Sequence, residues 1–377
     1  MAVAVSGRPK TLEEAKQFLL DRLTSVRRPP LNAGDETEIR AAIDRLQSLE
    51  GEHWGAVWGE VGARFERDAQ AAEARGDAKA AAEASFQAYA FYFIGRYPCP
   101  NSPKKRECAV KAREMHLKAG RYFDPPLARV AIPFAGRPGE GKEVIIYVRR
   151  PKDSSRAPVI IRWGGIDTWK EERHDINEIV LREGFATMTI DMPGAGESPL
   201  LASPDAERQY TPVFEWIRGQ KDLDGSRVGC VGMSFGGYWA AKLAHTHKEY
   251  LAAAVCWGGG VHYNFQADWA AKSRYADSYL MDLAETRARI MGLSTYEEYI
   301  QHVPKLSLLD QGILDRPCAP LLLVNGKEDR QVPIEDLYLL LEHGSPKSAR
   351  LFPGGHMGYT PETLPAIIAW LRERLKR

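Results

Sequence analysis

From residue 126 onward, short apolar runs rich in β-branched residues alternate with segments of helical periodicity. The apolar runs lie at 144–148, 159–162, 186–190, 228–231, 252–256 and 321–324. Several of them are continuously apolar, which is typical of parallel strands covered on both faces. Strands that alternate with helices form an open, doubly wound α/β sheet, because each parallel pair needs a crossover connection. The pattern therefore predicts a mostly parallel sheet flanked by helices.

The first 125 residues follow a different pattern, with helical periodicity and little sign of strands. Thr11 with Glu14, and Asp35 with Glu38, have the spacing of helix starts. Two further apolar stripes follow before residue 92. A chain of 377 residues is long enough for two domains of typical size. We therefore predict a helical N-terminal domain, 1–125, and an α/β catalytic domain, 126–377.

The segment between the last two apolar runs is too long for a simple connection. Residues 258–318 contain helical patches at 282–291 and 295–302. A structureless loop of that length is uncommon inside a compact domain. We therefore predict a helical cap, inserted at about 260–316.

The sharpest motif is Gly-Met-Ser-Phe-Gly-Gly at 232–237, which follows an apolar run and opens an Ala-rich helical segment. Gly-x-Ser-x-Gly in that context is typical of a nucleophile elbow, where small flanking residues let the chain turn sharply and present the serine hydroxyl. A plain Gly-rich turn also fits the pentapeptide by itself. The strand before it and the helix after it favour Ser234 as a nucleophile.

A serine hydroxyl is a weak nucleophile and needs a base that an acid orients. In the elbow fold, the acid and then the histidine follow the serine along the chain. The run 321–324 leads into Asn-Gly-Lys-Glu-Asp, which places Glu328 and Asp329 just beyond a strand end. We favour Asp329, because Val332 and Pro333 follow it at a distance suited to a helix start.

Two histidines, His343 and His356, follow that acid along the chain. His343 ends a Leu-rich helical segment, where an imidazolium faces the helix dipole favourably, so a structural position explains it. His356 lies in the Gly-rich loop 353–358, directly after a short strand expected at 349–352. We therefore predict His356 as the base.

A tetrahedral intermediate needs N–H donors for its oxyanion, one directly after the nucleophile and one after the third strand. The first is the amide of Phe235. Trp-Gly-Gly-Ile at 163–166 follows the run 159–162, so Gly165 or Ile166 supplies the second. The sequence leaves both candidates open.

Aromatic and polar residues adjoin these segments and predict an aromatic-lined substrate pocket. The candidate pocket residues are Trp163, Tyr238, Trp257, His262, Asp268 and Trp269. Aromatic side chains combine a large apolar surface with a polar edge, which suits a flat aromatic or polyketide-like ligand.

Composition excludes several classes of function. The 51 Lys and Arg residues nearly balance the 50 Asp and Glu residues, so the basic surface of a nucleic-acid-binding protein is not expected. No run reaches the roughly 20 apolar residues of a membrane span, and five scattered cysteines suit a reducing compartment. Phosphate-loop, dinucleotide-binding and zinc-helix spacings are unmatched. We expect a cytoplasmic protein without a metal or cofactor that acts on a small molecule.

Together, these motifs resemble the α/β-hydrolase superfamily. The long helical N-terminal segment, the glycine pair at 164–165 and Lys-Glu-Glu at 170–172 are similar to one branch of it. That branch contains the bacterial 2,6-dihydroxypseudooxynicotine hydrolase, the fungal heptaketide-shortening hydrolases and the fermentation-respiration switch esterase-like proteins. The resemblance implies Ser234 as nucleophile, Asp329 and His356 as its partners, and cofactor-free hydrolysis at a carbonyl carbon.

The resemblance leaves the cleaved bond open. The nicotine-pathway enzyme of this branch cleaves a carbon-carbon bond beside a ketone and has an additional acidic residue after the strand that follows the elbow. Residues 257–264 contain no acid here, and the nearest one is Asp268. Asp268 or His262 would substitute, although each also fits ordinary pocket lining or cap surface. An ester and a carbon-carbon bond beside an activated ketone therefore both fit the sequence.

Two functions of other classes also remain compatible with these residues. One is a regulatory binding protein on a hydrolase fold, and the other is lyase or cyclase chemistry at the same site without attack by water. The helical N-terminal region exceeds the size of a simple lid. It would cover the pocket, form a homodimer surface, or do both.

Overall fold

The computed structural model describes residues 9, 11–25, 30–152, 154–275 and 279–376. The chain divides into two compact units. The first extends to Ala128 and includes Tyr275–Leu283, and the second consists of Arg129–Arg274 and Ala284–Arg377. The sequence-based boundary after residue 125 lies close to this division. The segment predicted as a cap, 260–316, is shared between the units, since its residues 275–283 belong to the first.

The first unit is built from helices. They are α1 Leu12–Ser25, α2 Glu36–Asp44, α3 Gly51–Ala74, α4 Ala78–Gly95 and α5 Pro103–Gly120. Both predicted helix starts are confirmed by side-chain caps. The amide of Glu14 donates to Thr11 Oγ1 at 3.2 Å, and the amide of Glu38 donates to Asp35 Oδ1 at 3.1 Å.

Helix α5 is an element that the apolar pattern did not predict. Its start carries a strong local signal, because Ser102 accepts a hydrogen bond from the Lys105 amide and Pro103 occupies the first turn. Gly55 of α3 lies against it, where a Cβ would be 2.8 Å from the backbone of Lys104. The helix is thus buried by close backbone approach, which periodicity does not reveal.

The second unit contains an eight-stranded sheet. Its strands are β1 Ala128–Pro133, β2 Glu143–Arg149, β3 Ala157–Trp163, β4 Ala186–Ile190, β5 Leu223–Met233, β6 Ala253–Trp257, β7 Leu321–Gly326 and β8 Lys347–Phe352. Their order is β1-β2-β4-β3-β5-β6-β7-β8. β2 is antiparallel to β4, and the pairs from β4 through β3 to β8 are parallel. The predicted, mostly parallel sheet is therefore confirmed.

Helices lie between these strands along the chain or follow the last of them. They are α6 His174–Arg182, α7 Thr211–Arg218, α8 Phe235–Thr246, α9 Ala267–Lys272, α10 Leu283–Ile290, α11 Tyr296–His302, α12 Glu335–Glu342 and α13 Thr363–Leu375. Apolar residues of α6 and α13 pack with the central strands, among them Ile176, Ile367 and Leu371. Every residue of β3, β4 and β6 is buried, which explains the continuous apolar run of β6; in β4, apolar residues alternate with the buried Thr187 and Thr189. β1 was missed, because only Ile132 of its residues is buried.

No helix in the part of the chain that the structure describes has the length and apolarity needed to cross a membrane.

Candidate active site

Ser234 lies in a sharp turn between β5 and α8. Its φ of 55° and ψ of −128° are rare for a residue with a side chain, and such backbone strain persists only where the surroundings enforce it. The Ser234 amide donates to the carbonyl oxygen of Trp257 at 2.7 Å. Glycine is needed on both sides, because a Cβ at Gly232 would overlap the Gly236 carbonyl, and one at Gly236 would overlap the Gly164 carbonyl. The turn has the geometry expected of a nucleophile elbow.

Three side chains from separate loops form a hydrogen-bonded chain. Ser234 Oγ lies 2.8 Å from His356 Nε2, and His356 Nδ1 lies 2.8 Å from Asp329 Oδ2. Asp329 follows β7 and His356 follows β8, so the parallel sheet brings both to the edge where Ser234 follows β5. The Asp329 side chain is fully buried, whereas 14% of the His356 side chain is exposed. The imidazole is therefore accessible to a reacting group while its acid partner is not.

Asp329 is surrounded by hydrogen-bond donors. Its Oδ1 accepts from the amides of Gln331 and Val332 at 2.8 and 3.2 Å, and its Oδ2 accepts from Asn325 Nδ2 at 2.9 Å. Burial raises the pKa of Asp329, but His356, Asn325 and the Val332 amide together lower it by more, so the net pKa lies below its ordinary value. An ionised carboxylate at this position can hold the His356 Nδ1–H and stabilise an imidazolium.

The alternative acid and base lie outside this chain of bonds. Glu328 is exposed, and its amide donates to the Gly354 carbonyl at 3.0 Å. His343 follows the last residue of α12, with Nδ1 3.5 Å from Asp315 Oδ1. The structure therefore brings Asp329 and His356 to Ser234, and not Glu328 or His343.

Backbone amides lie next to the nucleophile. Phe235 is the first residue of α8, so its N–H has no acceptor within the helix. A Cβ at Gly165 would lie 3.0 Å from Ser234 Cβ and 3.3 Å from Ser234 Oγ. The loop after β3 therefore passes directly beside the serine. Ile166 is the next residue of this loop, and the identity of the second oxyanion donor stays a prediction with two candidates.

The Lys-Glu-Glu motif anchors the far end of that loop. Lys170 Nζ lies 2.8 Å from Asp191, 3.0 Å from Glu171 and 2.7 Å from Glu197, with no exposed side-chain surface of its own. The Lys170 amide also donates to Asp191 Oδ1 at 2.8 Å. Burial lowers the pKa of Lys170, but the carboxylates raise it by more, and the net pKa lies above its ordinary value. A buried ammonium thus ties the loop that carries Gly165 to the loop after β4.

Four of the predicted pocket residues are aromatic, and three of them are enclosed by protein. Trp163, Tyr238 and Trp257 are at most 1% exposed. The Trp163 indole donates to the Gly236 carbonyl at 2.8 Å, so it stabilises the turn that carries Ser234. Trp269 is half-buried, and its indole donates to the Gln331 carbonyl at 3.1 Å. Their contact with a substrate stays a prediction.

The two polar pocket candidates have other partners. His262 Nδ1 lies 2.7 Å from Ser307 Oγ. Asp268 is exposed and accepts the amide of Trp269 at 2.8 Å. Neither side chain is hydrogen-bonded to a member of the Ser-His-Asp chain, so a role for either in chemistry is not supported by these contacts.

Asp336 is an important residue of this region that the sequence reasoning missed. It is fully buried in α12, and its carboxylate accepts the amides of His262, Tyr263 and Asn264 at 2.7, 3.0 and 2.8 Å. Burial raises its pKa above the ordinary value against the opposing effect of these amides. The residue shapes the loop after β6. An acid on the apolar face of a helix, beside Leu340, is the signal that could have revealed it.

The described residues contain no group of three or more His, Cys, Asp or Glu side chains arranged to hold a metal ion. Two histidines at the end of α8 are structural instead. His245 Nδ1 lies 2.8 Å from the Arg316 carbonyl, and His247 Nε2 lies 2.9 Å from Thr211 Oγ1. Burial lowers the pKa of each histidine to about 4, so both imidazoles are neutral at pH 7.

The chain is similar in sequence to known hydrolases. Esterase FrsA of Photobacterium profundum is 23% identical over 88% of this chain and 79% of its own length. The 2,6-dihydropseudooxynicotine hydrolase of Paenarthrobacter nicotinovorans is 25% identical over 86% of this chain and 81% of its own length. Both relatives are named as hydrolytic enzymes.

Solved structures show the same fold. The crystal structure of 2,6-dihydroxy-pseudo-oxynicotine hydrolase superimposes with a TM-score of 0.76 at 23% identity, covering 91% of this chain and 93% of that one. AbyA5 superimposes with a TM-score of 0.75 at 22% identity, covering 96% and 94%. The model of the family described as "Esterase FrsA-like" matches residues 37–376. The chain is therefore a hydrolase of the α/β-hydrolase superfamily and belongs to the FrsA-like esterase family.

Proposed function

We propose that this hydrolase cleaves an acyl bond through an acyl-enzyme on Ser234. His356 acts as general base and then as general acid, and Asp329 orients it. The observation that carries the proposal is the chain of two 2.8 Å hydrogen bonds from Ser234 Oγ through His356 to Asp329 Oδ2. Such a chain lets a neutral imidazole accept the serine proton as the hydroxyl attacks.

The proposed reaction uses the same groups twice. Ser234 Oγ attacks the carbonyl carbon as its proton passes to His356 Nε2, and the amide of Phe235 with that of Gly165 or Ile166 stabilises the oxyanion. The imidazolium then gives its proton to the leaving group, and the acyl group stays on the serine. Water next attacks the acyl carbon, with His356 again taking a proton, which releases a carboxylic acid and restores the serine.

We rank a carboxylic ester of a small aromatic or polyketide-like compound first as the substrate. Its alkoxide leaving group needs only the proton that His356 carries. A carbon-carbon bond beside an activated ketone is the second candidate, favoured by the similarity to 2,6-dihydropseudooxynicotine hydrolase. That leaving group is a carbanion equivalent, which must be protonated on carbon. Neither Asp268, which is exposed, nor His262, which is bonded to Ser307, is placed by these contacts as the additional proton donor.

A substrate panel tests this proposal. It pairs p-nitrophenyl esters of increasing chain length with aryl β-diketones and aryl ketones, and product masses show whether one water is added. Ser234→Ala is expected to lower turnover by about 10⁴-fold or more. Ser226→Ala, which removes a hydroxyl bonded to Asp224 on the same strand, is the matched control and should retain activity. Product of unchanged mass would instead support lyase or cyclase chemistry, and the absence of turnover would support a binding protein.

We also propose a cytoplasmic location, a small-molecule substrate and a homodimer formed through the helical unit. All five cysteines are buried free thiols, which supports a reducing compartment. Size-exclusion chromatography with light scattering tests the dimer, and a monomeric mass at micromolar concentration would contradict it.

A further inference from the structure

Met357, which directly follows His356, has a backbone conformation that side-chain-bearing residues rarely adopt. Its φ is 68° and its ψ is −6°. Both of its backbone polar groups are bonded to side chains. The Met357 amide donates to Asn325 Oδ1 at 2.9 Å, and its carbonyl oxygen accepts from Trp257 Nε1 at 2.6 Å. A change at either bond would alter this turn and move the adjacent imidazole.

Asn325 also contacts the acid of the triad. Its Nδ2 donates to Asp329 Oδ2 at 2.9 Å, and this oxygen also accepts the Nδ1–H of His356 at 2.8 Å. Its Oδ1 accepts the Gly326 amide at 2.9 Å in addition to that of Met357. The two acceptor bonds fix which way the amide faces, so the donor must point at Asp329. One buried side chain therefore joins the acid to the loop of the base.

Trp257 joins the same loop to the nucleophile. Its backbone carbonyl accepts the Ser234 amide at 2.7 Å, while its indole donates to the Met357 carbonyl. Its ring packs against Tyr359, with ring centroids 5.2 Å apart. Asn325 and Trp257 are only 3% and 1% exposed, so water does not compete easily for these bonds.

We propose that Asn325 and Trp257 are positioning residues that clamp the turn at Met357 and thereby hold His356 between Ser234 and Asp329. This inference rests on the proposed serine-hydrolase function. A displacement of about 1 Å at a reacting group costs on the order of 10²-fold in rate. Loss of either clamp bond should therefore lower kcat and leave KM nearly unchanged, because Asn325 is only 3% exposed and a phenylalanine at position 257 still offers an aromatic ring to the predicted pocket.

Trp257→Phe is the principal variant, because it keeps an aromatic ring in place and removes the indole N–H. Trp239→Phe is its matched control. Trp239 is fully buried in α8, and its indole nitrogen has no hydrogen-bond partner among the described residues. We expect Trp257→Phe to lower kcat by about 10- to 100-fold with KM within about threefold, and Trp239→Phe to retain the kcat of the wild type.

Asn325→Leu removes the other half of the clamp, and Asn177→Leu is its control. Asn177 is also buried, but its Oδ1 bonds to Arg162 and Thr187 instead of the triad. Proton NMR of the His356 Nδ1–H gives a readout that general destabilisation does not move. Without a clamp bond to Met357, His356 should move away from Asp329 in both Asn325→Leu and Trp257→Phe, so the bond between His356 Nδ1 and Asp329 Oδ2 should lengthen and the resonance should move upfield. Asn177→Leu should leave the resonance in place.

The outcomes separate this inference from the proposed function. If wild type and Ser234→Ala turn over substrate equally, the serine-hydrolase function itself is wrong. If Ser234→Ala is inactive but folded Trp257→Phe keeps the wild-type kcat and resonance, the clamp alone is wrong. Equal losses in Trp257→Phe and Trp239→Phe would also overturn the clamp, since buried packing would then explain the effect. If Asn325→Leu fails to fold, the comparison of Trp257→Phe with Trp239→Phe still tests the clamp.

Discussion

Asp329→Asn should inactivate the enzyme through the tautomer of His356, and the surroundings of Asp329 show why. Each carboxylate oxygen faces two donors: Oδ1 accepts the amides of Gln331 and Val332, and Oδ2 accepts Asn325 Nδ2 and His356 Nδ1–H. The NH₂ group of an asparagine must therefore point at donors in either orientation. Backbone amides cannot reverse, and Asn325 is fixed by its own acceptor bonds, but an imidazole can change tautomer.

The NH₂ group is therefore expected at the Oδ2 position, where it donates to His356 Nδ1. The imidazole then carries its proton on Nε2, which faces Ser234 Oγ and can no longer accept the serine proton. The wrong tautomer costs about 10⁴-fold in kcat in a Ser-His-Asp triad, equivalent to about 5 kcal/mol of transition-state stabilisation. Steady-state kinetics on a p-nitrophenyl ester would measure this loss of kcat, and thermal unfolding would verify that the variant is folded.

Glu328→Gln provides the matched control for this prediction. Glu328 adjoins Asp329 and is exposed, so the loss of its charge should change kcat less than about threefold. The reasoning would be refuted if folded Asp329→Asn kept more than a tenth of the wild-type kcat, or if Glu328→Gln lost as much activity as Asp329→Asn.

Three further predictions concern the surroundings of the site. Gly165→Ala should lower kcat by about 10²- to 10³-fold, because the new Cβ would lie 3.0 Å from Ser234 Cβ and displace the oxyanion loop; unchanged single-turnover kinetics would contradict this. Lys170→Met should lower the free energy of unfolding by about 3 to 5 kcal/mol, because it removes the buried cation that faces Glu171 and Asp191, and urea titration should reveal a loss well above 1 kcal/mol. Between pH 6.5 and about 4, the unfolded chain binds protons that buried His245 and His247 do not. The free energy of unfolding should therefore decrease as the pH is lowered through this range, by up to about 3 kcal/mol per histidine. Replacing both with Gln should flatten that part of the curve, and an identical pH dependence would rule the explanation out.

The sequence predicted those parts of the molecule whose signals are local. Strands such as β6 and β7 are buried throughout, so their apolar runs are visible without knowledge of the fold. The elbow around Ser234 is equally local, because its glycines and its flanking strand and helix adjoin it in sequence. Asp329 and His356 followed from chain order and from their positions after strands. The structure places both within one chain of hydrogen bonds to the serine.

The remaining parts depend on contacts between distant segments. Asn325 looks like the polar end of an apolar strand, and its role becomes visible only where Met357 meets it. Asp336 caps a loop more than 70 residues earlier in the chain. Helix α5 has a weak apolar stripe, because it is buried through close backbone approach to Gly55. Periodicity reports which side of an element is apolar, and it does not report which partner lies opposite.

The most direct test of the central claim is covalent labelling by a fluorophosphonate probe, followed by peptide mass spectrometry. The probe phosphonylates a serine only where a base and an oxyanion hole activate the hydroxyl. We predict one adduct per chain, on the peptide that contains Ser234, which is absent in Ser234→Ala and forms far more slowly in His356→Ala. Folded wild-type protein that reacts at another residue, or does not react, would contradict the assignment of Ser234 as the nucleophile.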